Sequence, residues 1–275
     1  MPPDSIPIPI PTSIPNDAST HPSFADLAYR HRRDALAALA DAWTPGMPPP
    51  RIEYAEDEHA TWRCMRARMD PLHERHASAV VRAAQARVAL PCDAIPQLAD
   101  VSTMLERESG FRLAPVAGLV AARPFFAALA EGVFLATQYV RHPSTPLYTP
   151  EPDVIHELVG HVALLADPRI AALARACGRF AAAADAAALA RLERVFWFAL
   201  EFGACIERGE VRVLGAGLLS SVGELERAMA CGRWRAWDLD TIAQTDYATT
   251  GYQDAIFVAP DVDTLVDDVT AWLRG

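Results

Sequence analysis

Apolar residues recur at spacings of three and four along most of this sequence, and this helical periodicity limits the possible folds more than any other feature. Ala-, Leu- and Arg-rich stretches such as DLAYRHRRDALAALADAW follow one another from His21 to about residue 210. Turn residues separate them at TPGMPPP, ALPCDAIPQ, RHPSTPLYTPEPD and the Asp167-Pro168 pair. Two short segments, EVRVLGAG and DAIFVAP, have the β-branched character of strands. We therefore expect a mainly α protein with a small β hairpin or ribbon.

Length and composition indicate the domain organisation. The chain has 275 residues, of which 51% are hydrophobic, and this is enough for one sizeable core. Residues 1–20, with PIPIPTSIP at their centre, are too rich in proline to pack into that core and favour extended conformations. We predict a flexible tail at 1–20 and a single domain at 21–275.

Charge and apolar patterning argue against two classes of partner. The net charge of -10 repels nucleic acid and anionic lipid. No stretch approaches the ~20 apolar residues of a membrane span, and the N-terminus lacks the basic start and apolar run of a secretory signal. The five cysteines are odd in number and form no CxxC pair, as expected of reduced thiols. We expect a cytoplasmic protein without nucleic-acid or membrane partners.

Two histidines in the segment PEPDVIHELVGHVALLADP are candidate metal ligands. Asp153 is a natural N-cap for a helix there. His156 and His161 are five residues apart, which corresponds to ~140° on an ideal α-helix, so they can share an ion only if the helix loosens, for example at Gly160. The zinc-hydrolase motif HExxH, with Glu157 as the base, needs a spacing of four instead. From the residues alone, metal binding and simple packing of two histidines are equally plausible.

A third ligand could come from Glu201, which lies among aromatic residues in RVFWFALEFGACIERGE. An ion would stabilise a carboxylate in such surroundings. The alternative is a solvated helix face, because Arg194, Glu201 and Arg208 recur every seven residues. Helical periodicity by itself favours the solvated face.

Four segments, in this order, resemble the aromatic amino acid hydroxylases: PVAGLVAARPFF, TQYVRHPSTPLYTPEPDVIHELVGH, FWFALEFG and GAGLLSSVGEL. The resemblance runs from about Ile52 to Val258. It implies the catalytic-domain fold of that family and ferrous iron held by His156, His161 and Glu201. Such a ligand set leaves coordination positions open, as oxygen activation requires. The resemblance also implies a tetrahydropterin cofactor and O2 as co-substrate.

The resemblance further implies a set of binding residues. Phe125 matches the residue on which the pterin stacks, and Arg141 matches the guanidinium that binds the substrate α-carboxylate, a bidentate task suited to arginine. The expected pterin-binding residues are Gly118, Leu119, Val120, Ala122, Phe125 and Glu157. The expected substrate-binding residues are Arg141, Thr149, Pro152, Trp197, Phe202 and Ser220.

The expected substrate is a free aromatic amino acid, with L-phenylalanine converted to L-tyrosine as the favoured reaction. Trp197 favours phenylalanine, because tryptophan hydroxylases tend to have a smaller aromatic residue there. The Gln253-Asp254 pair looks more like the tryptophan enzymes. The family alternatives are therefore tryptophan 5-hydroxylation and phenylalanine 3-hydroxylation. The regiochemistry is left open by Leu135, Ala136, Phe196 and Thr249, which differ from, or vary among, relatives.

Two alternatives belong to other classes of protein: a zinc hydrolase with Glu157 as base, and a helical binding protein without catalysis. The histidine spacing argues against the first. The presence of every expected iron ligand, together with Phe125 and Arg141, argues against the second. Animal hydroxylases add a regulatory domain and an oligomerisation helix that this sequence does not show, so we expect a monomer.

Overall fold

The computed structural model describes residues 21–249 and 251–275. The predicted proline-rich tail at 1–20 lies outside the described residues. Helices make up most of the rest, as expected. In chain order they are α1 (Pro22–Ala25), α2 (Leu27–Asp41), α3 (Glu56–His76), α4 (Ala79–Val88), α5 (Leu98–Ser109), α6 (Ala122–Ala130), π1 (His156–Val162), α7 (Ala163–Leu165), α8 (Pro168–Ala183), α9 (Ala186–Phe196), π2 (Trp197–Glu201), α10 (Ala216–Ser220), α11 (Val222–Cys231), α12 (Leu239–Ile242) and α13 (Val262–Trp272).

Helix starts follow the local capping chemistry of the sequence. The Asp26 side chain accepts hydrogen bonds from two N–H groups of the first turn of α2, and Asp167 does the same for α8, whose first residue is Pro168. The breaks predicted from turn residues therefore fall between helices in the structure. None of the described helices is both long and apolar enough to cross a bilayer.

The strands form two small sheets. They are β1 (Arg112–Pro115), β2 (Val133–Ala136), β3 (Ala204–Glu207), β4 (Glu210–Val213), β5 (Trp234–Ala236) and β6 (Ile256–Ala259). One sheet has the order β4-β3-β6-β5, with β3 and β4 antiparallel and the other pairs parallel. The other sheet is the parallel pair β1 and β2. The expected small β element is confirmed: the two segments predicted as strands are β4 and β6, but they lie on either side of β3, a strand that the sequence did not indicate.

Two sequence-based expectations need correction. Helices do not follow one another without interruption to residue 210, because β1, β2 and β3 lie before that point. The segment EVRVLGAG is a strand only over Glu210–Val213, and its Ala-Gly end begins α10 instead. Four-residue strands carry too little alternation to be recognised locally, and their pairing depends on partners far along the chain.

The β3–β4 turn is set by its two central residues. Arg208 has φ 55° and Gly209 has φ 81°, the left-handed pair that a two-residue type I′ hairpin requires. Glycine adopts this conformation readily, whereas Arg208 does so at some cost. Because this turn reverses the chain just after Glu201, it directs β4 back toward α10 and the centre of the molecule.

The segment π1 lies at the centre of the core, where every residue from Glu157 to Val162 is buried. It packs against α10 at Gly160. A Cβ at that position would lie 2.7 Å from the Ala216 carbonyl oxygen, so only glycine permits the two backbones to approach this closely. The sequence pointed to Gly160 as a place where the helix could loosen, and close packing is a second reason for glycine there.

A buried histidine links the long helix α3 to α10. The His73 Nε2 lies 2.9 Å from the Leu219 carbonyl oxygen, to which it donates, and its Nδ1 accepts from Gln85 at 2.9 Å. Burial lowers the pKa of His73 to about 4. The ring is therefore neutral in the folded state, while in the unfolded chain it gains a proton near pH 6.5.

The folded-state pKa of His73 predicts an acid-dependent loss of stability. Because the folded pKa lies below the unfolded one, the stabilisation is fully present above pH 6.5 and is lost as the pH falls toward 4, by at most about 3 kcal/mol. Chemical denaturation at several pH values should show that the free energy of unfolding depends less steeply on pH in His73→Gln than in the wild type. Parallel pH profiles for the two proteins would contradict this assignment.

Candidate metal centre and substrate cavity

The two histidines of π1 meet on one face of that segment. Hydrogen bonding from residue i to i+5 defines a π-helix, so residues five apart lie about one turn apart. The Nε2 atoms of His156 and His161 are 3.0 Å apart as a result. The local loosening that the spacing of five required is therefore present, and it extends over the whole of His156–Val162.

Glu201 completes the cluster from a second π-helical turn, π2. Its carboxylate oxygens lie 3.0 Å from the His161 Nε2 and 3.7 Å from the His156 Nε2. One ligand atom from each of the three side chains lies within 4.8 Å of the others. Within residues 21–249 and 251–275, these three form the one cluster of His, Cys, Asp or Glu side chains placed closely enough to share a metal ion. The side chain of Glu201 is 13% exposed, so the alternative of a solvated helix face is wrong.

The electrostatics of the cluster suit a divalent transition metal. Burial lowers the pKa of His156 to about 4, which keeps the ring neutral. Burial alone would raise the pKa of Glu201, but the neighbouring His161 and His156 lower it below the ordinary value. Two imidazole nitrogens and one ionised carboxylate converging from one side form the donor set typical of non-haem iron.

Ser220 fixes the orientation of the His156 ring. Its Oγ donates to the Ala216 carbonyl at 2.8 Å and lies 2.8 Å from the His156 Nδ1. Because the hydroxyl proton is already used, Nδ1 must be the donor to Ser220, and Nε2 is left with its lone pair facing His161 and Glu201. The ring nitrogen that faces the cluster is therefore the one able to bind a metal.

A cavity of about 540 Å³ opens beside His156 and Glu201. It is large enough for a small organic molecule. All the residues expected to bind the substrate line it, namely Arg141, Thr149, Pro152, Trp197, Phe202 and Ser220. The structure thus brings this predicted set together next to the metal centre.

Arg141 is held by a buried carboxylate that the sequence did not pair with it. Its Nε and Nη2 donate to the two carboxylate oxygens of Asp153 at 2.9 and 2.8 Å, and its Nη1 donates to the Ser220 carbonyl at 3.3 Å. Asp153 also accepts from the His156 N–H at 3.1 Å, which confirms it as the N-cap of this helical segment. One carboxylate therefore positions both Arg141 and the first metal-site residue.

An aromatic wall closes one side of the cavity. The Trp197 ring stacks on Tyr247 at 4.3 Å between centroids and lies 4.9 Å from Phe202. Its indole N–H donates to the Gln253 Oε1 at 3.0 Å, and the Gln253 Nε2 donates to the Ala248 carbonyl. Contacts on two faces and a hydrogen bond at the edge hold Trp197 in one orientation.

The residues expected to bind the pterin are more scattered. Leu119 lines the cavity and is 74% exposed. Gly118, Val120 and Ala122 flank it in the loop and helix start after β1. The Phe125 ring packs edge-on against Phe134, which in turn packs on the His161 ring at 4.5 Å. Phe125 is therefore linked to the metal centre through Phe134, on the side of His161.

Glu157 faces β2 rather than the cavity. Its Oε1 accepts from both the backbone N–H and the hydroxyl of Thr137, at 3.2 and 3.1 Å. Burial raises the pKa of Glu157 to about 7. A carboxylate held in this way is poorly placed to act as the base of a zinc hydrolase, and Thr137 is a partner that the sequence did not suggest.

Sequence reasoning missed further cavity residues. Phe24 in α1, Tyr252 before β6, and Glu224 in the first turn of α11 all line the cavity. Glu224 is the glutamate of a segment already noted for its resemblance, GAGLLSSVGEL, but a glutamate near a helix start ordinarily indicates capping. Phe24 and Tyr252 carry no local pattern that distinguishes them from core aromatics.

Comparisons with known proteins agree with this geometry. The sequence model of the biopterin-dependent aromatic amino acid hydroxylases matches residues 10–274. Tyrosine 3-monooxygenase of Mus musculus is 43% identical over 244 residues, which cover 87% of this chain and 49% of that protein. The chain spans about half the length of such curated relatives.

Solved structures are similar as well. Phenylalanine hydroxylase of Chromobacterium violaceum with bound iron(III) and oxidised cofactor 7,8-dihydrobiopterin has a TM-score of 0.75 and 31% identity, covering 83% of this chain and 84% of that one. The cold-active phenylalanine hydroxylase of Colwellia psychrerythraea has a TM-score of 0.76 and 28% identity, covering 84% and 92%.

The fold and the site define a non-haem metal protein of the hydroxylase type, with two histidines and one carboxylate beside an amino-acid-sized cavity. The chain belongs to the biopterin-dependent aromatic amino acid hydroxylase family. The expected fold is confirmed, as are iron and a pterin as the cofactors of this family.

Replacement of one metal ligand should separate metal binding from folding. We expect His161→Ala to keep its helical circular dichroism and to lose stoichiometric iron, because two remaining ligands hold a divalent ion weakly. Iron content by atomic absorption after gel filtration measures the effect. His31→Ala, on the exposed face of α2, serves as the matched control, and full iron content in His161→Ala would rule out the assignment.

Proposed function

We propose that this protein is an iron- and tetrahydropterin-dependent monooxygenase that hydroxylates the ring of a free aromatic amino acid, with L-phenylalanine to L-tyrosine as the favoured reaction. The observation that carries the proposal is the cluster of His156, His161 and Glu201, of which His156 and Glu201 line a cavity of about 540 Å³. The same cavity contains a buried guanidinium and an aromatic wall. A metal centre, a carboxylate-binding cation and a ring-sized slot therefore adjoin one another.

Iron and a reduced pterin, when bound, would supply the activation of O2. The chain contributes position and environment. His156, His161 and Glu201 would hold the metal from one side and leave the cavity side open. Residues 118–125 and Glu157 would receive the pterin, with Phe125 as the stacking surface. The half-buried Trp197 and Phe202 would help to shield the reacting ring from water.

Arg141 would bind the α-carboxylate of the substrate. Asp153 occupies the Nε edge of the guanidinium, so the remaining N–H groups of Nη1 and Nη2 are the ones available to a ligand. The pairing with Asp153 holds the guanidinium plane in one orientation before substrate arrives. The substrate is thereby anchored at its amino acid end while its ring points to the aromatic wall.

The aromatic wall supports phenylalanine over tryptophan. Trp197 is clamped by Tyr247, Phe202 and Gln253, so it cannot swing aside to admit an indole without losing these contacts. Exclusion of a misfitting group in such a pocket is worth ~1–3 kcal/mol. The Gln253 that resembles the tryptophan enzymes acts here as the hydrogen-bond partner of Trp197.

Tyrosine 3-hydroxylation is the second candidate, and one observation favours it. The curated relative that is 43% identical is named a tyrosine 3-monooxygenase, whereas the solved neighbours are phenylalanine hydroxylases. Thr249, on the loop before β6, lines the cavity and carries a hydroxyl that could meet a phenol.

The proposal extends to the cellular setting. Residues 21–275 would act as a single catalytic domain and as a monomer, and this chain carries the three metal ligands and the cavity lining itself. All five cysteines are free thiols, as expected of a reducing cytoplasm. Such a compartment would also keep the pterin and the iron reduced.

Product analysis tests the proposed function. The iron-loaded protein, supplied with tetrahydropterin and O2, should convert phenylalanine to tyrosine faster than it hydroxylates tyrosine or tryptophan. Mass spectrometry against authentic standards identifies the products, and His161→Ala is the inactive control. A catechol product from tyrosine would select the second candidate, and the absence of any pterin-dependent product would refute the hydroxylase assignment.

Shortening the aromatic wall should broaden the choice of substrate. In Trp197→Phe the lost indole area and the lost bond to Gln253 leave room for a larger ring, so the ratio of kcat/KM for tryptophan to that for phenylalanine should rise about tenfold. Steady-state assays with both amino acids measure this ratio. An unchanged ratio would show that Trp197 does not set ring size.

A further inference from the structure

Glu224 is a buried carboxylate in the substrate cavity with no part in the mechanism described above. It lies in the first turn of α11, lines the cavity and is 4% exposed. Its Oε1 accepts one hydrogen bond, from the Gln253 backbone N–H at 2.9 Å. No Lys, Arg or His within residues 21–249 and 251–275 forms an ion pair with it. A buried carboxylate with so little compensation is costly unless a ligand supplies the missing charge.

The other carboxylates that line the cavity already have partners. Glu201 belongs to the metal cluster. Glu151 forms an ion pair with Arg33 at 2.7 Å. Among the described residues that line the cavity, Glu224 is therefore the carboxylate that forms neither an ion pair nor part of the metal cluster. It can receive a positively charged group of a ligand.

Glu224 and Arg141 line the same cavity and are connected through residues 220–224. The Arg141 Nη1 donates to the Ser220 carbonyl at 3.3 Å, and the Ser221 Oγ accepts from the Glu224 N–H at 3.3 Å. Residues 220–224, which lead from the end of α10 through the extended Ser221 into α11, therefore contact the cation at one end and carry the carboxylate at the other. The α-carboxylate and α-ammonium of an amino acid are separated by one carbon atom, so a matched cation and anion must lie close together to bind both.

Resting on the proposed function, we propose that the Glu224 carboxylate receives the α-ammonium group of the amino acid substrate, opposite Arg141. This pairing restricts the site to free α-amino acids and disfavours the corresponding acids that lack the amine. The Gln253 N–H holds one oxygen of Glu224 in place. The ammonium group supplies a positive charge in direct contact with the carboxylate, which no cation among the described residues does.

The protonation behaviour of Glu224 agrees with this role. Burial raises the pKa of Glu224 to about 7, although the Gln253 N–H and the nearby Arg227 and Arg233 act to lower it. Asp254 and Tyr252 are the other ionisable groups that face it. Since only the ionised carboxylate attracts an ammonium group, phenylalanine affinity should rise about tenfold from pH 6 to pH 8.

A pair of ligands isolates the ammonium contact. L-Phenylalanine and 3-phenylpropionate share the ring and the carboxylate, and only the first carries the amine. Calorimetric Kd values for the anaerobic, iron-loaded wild type, Glu224→Gln and Glu226→Gln give the comparison. Glu226 lies on the same helix, more exposed, near Arg68, and is the control. We expect Glu224→Gln to weaken phenylalanine binding at least tenfold, to leave 3-phenylpropionate unchanged, and to remove the pH dependence.

The alternative outcomes are distinct. Equal weakening of both ligands in Glu224→Gln would show a structural role, and unchanged binding of both would show no role; each overturns the inference. If Glu224→Gln fails to fold, the wild type still decides, because a ratio of the two Kd values that is constant from pH 6 to pH 8 also overturns it. If the wild type hydroxylates phenylalanine while the inference fails, the proposed function stands. If the wild type hydroxylates no amino acid, the proposed function fails instead.

Discussion

The site depends on the π-helical hydrogen bonding of residues 156–162. An α-helical turn would separate His156 and His161 by ~140° and point them to different partners, whereas the i→i+5 pattern puts their Nε2 atoms 3.0 Å apart. Such segments are rare and are stable only where packing compensates for their poorer geometry. Here the compensation comes from near-complete burial and from the close approach of α10 at Gly160. The second π-helical turn ends at Glu201 and brings the third ligand to the same point.

The Asp153 carboxylate connects the metal side of the site to the substrate side. It caps the segment that begins the metal ligands and also accepts two hydrogen bonds from the Arg141 guanidinium. Loss of one partner from a buried ion pair typically costs ~3–5 kcal/mol, because the other charge is left without compensation. The orientation of the Arg141 guanidinium and the start of the metal-binding helical segment are therefore not independent of each other.

The loop before β6 contacts two residues of the cavity, Trp197 and Glu224, through Gln253. Through its side chain, Gln253 holds Trp197 in the aromatic wall, and through its backbone N–H it holds Glu224. A single residue thus contacts the group that limits ring size and the group proposed to bind the amine. If both proposals hold, substrate preference would depend on that loop and its contacts rather than on Trp197 alone.

The sequence by itself determined several helix starts and the candidate metal ligands of this protein. Asp26, Asp167 and Asp153 act at short range as helix caps, and of these the sequence analysis indicated the cap at Asp153 and the break at Asp167-Pro168. The spacing of His156 and His161 required a loosened helix, and similarity in motif order identified Glu201 where periodicity had pointed the other way. The parallel pairing of β1 with β2, the bond between Arg141 and Asp153, and the position of Glu224 in the cavity could only be decided by the tertiary structure. Each joins segments whose contact depends on how the chain as a whole packs, and no local pattern encodes such contacts.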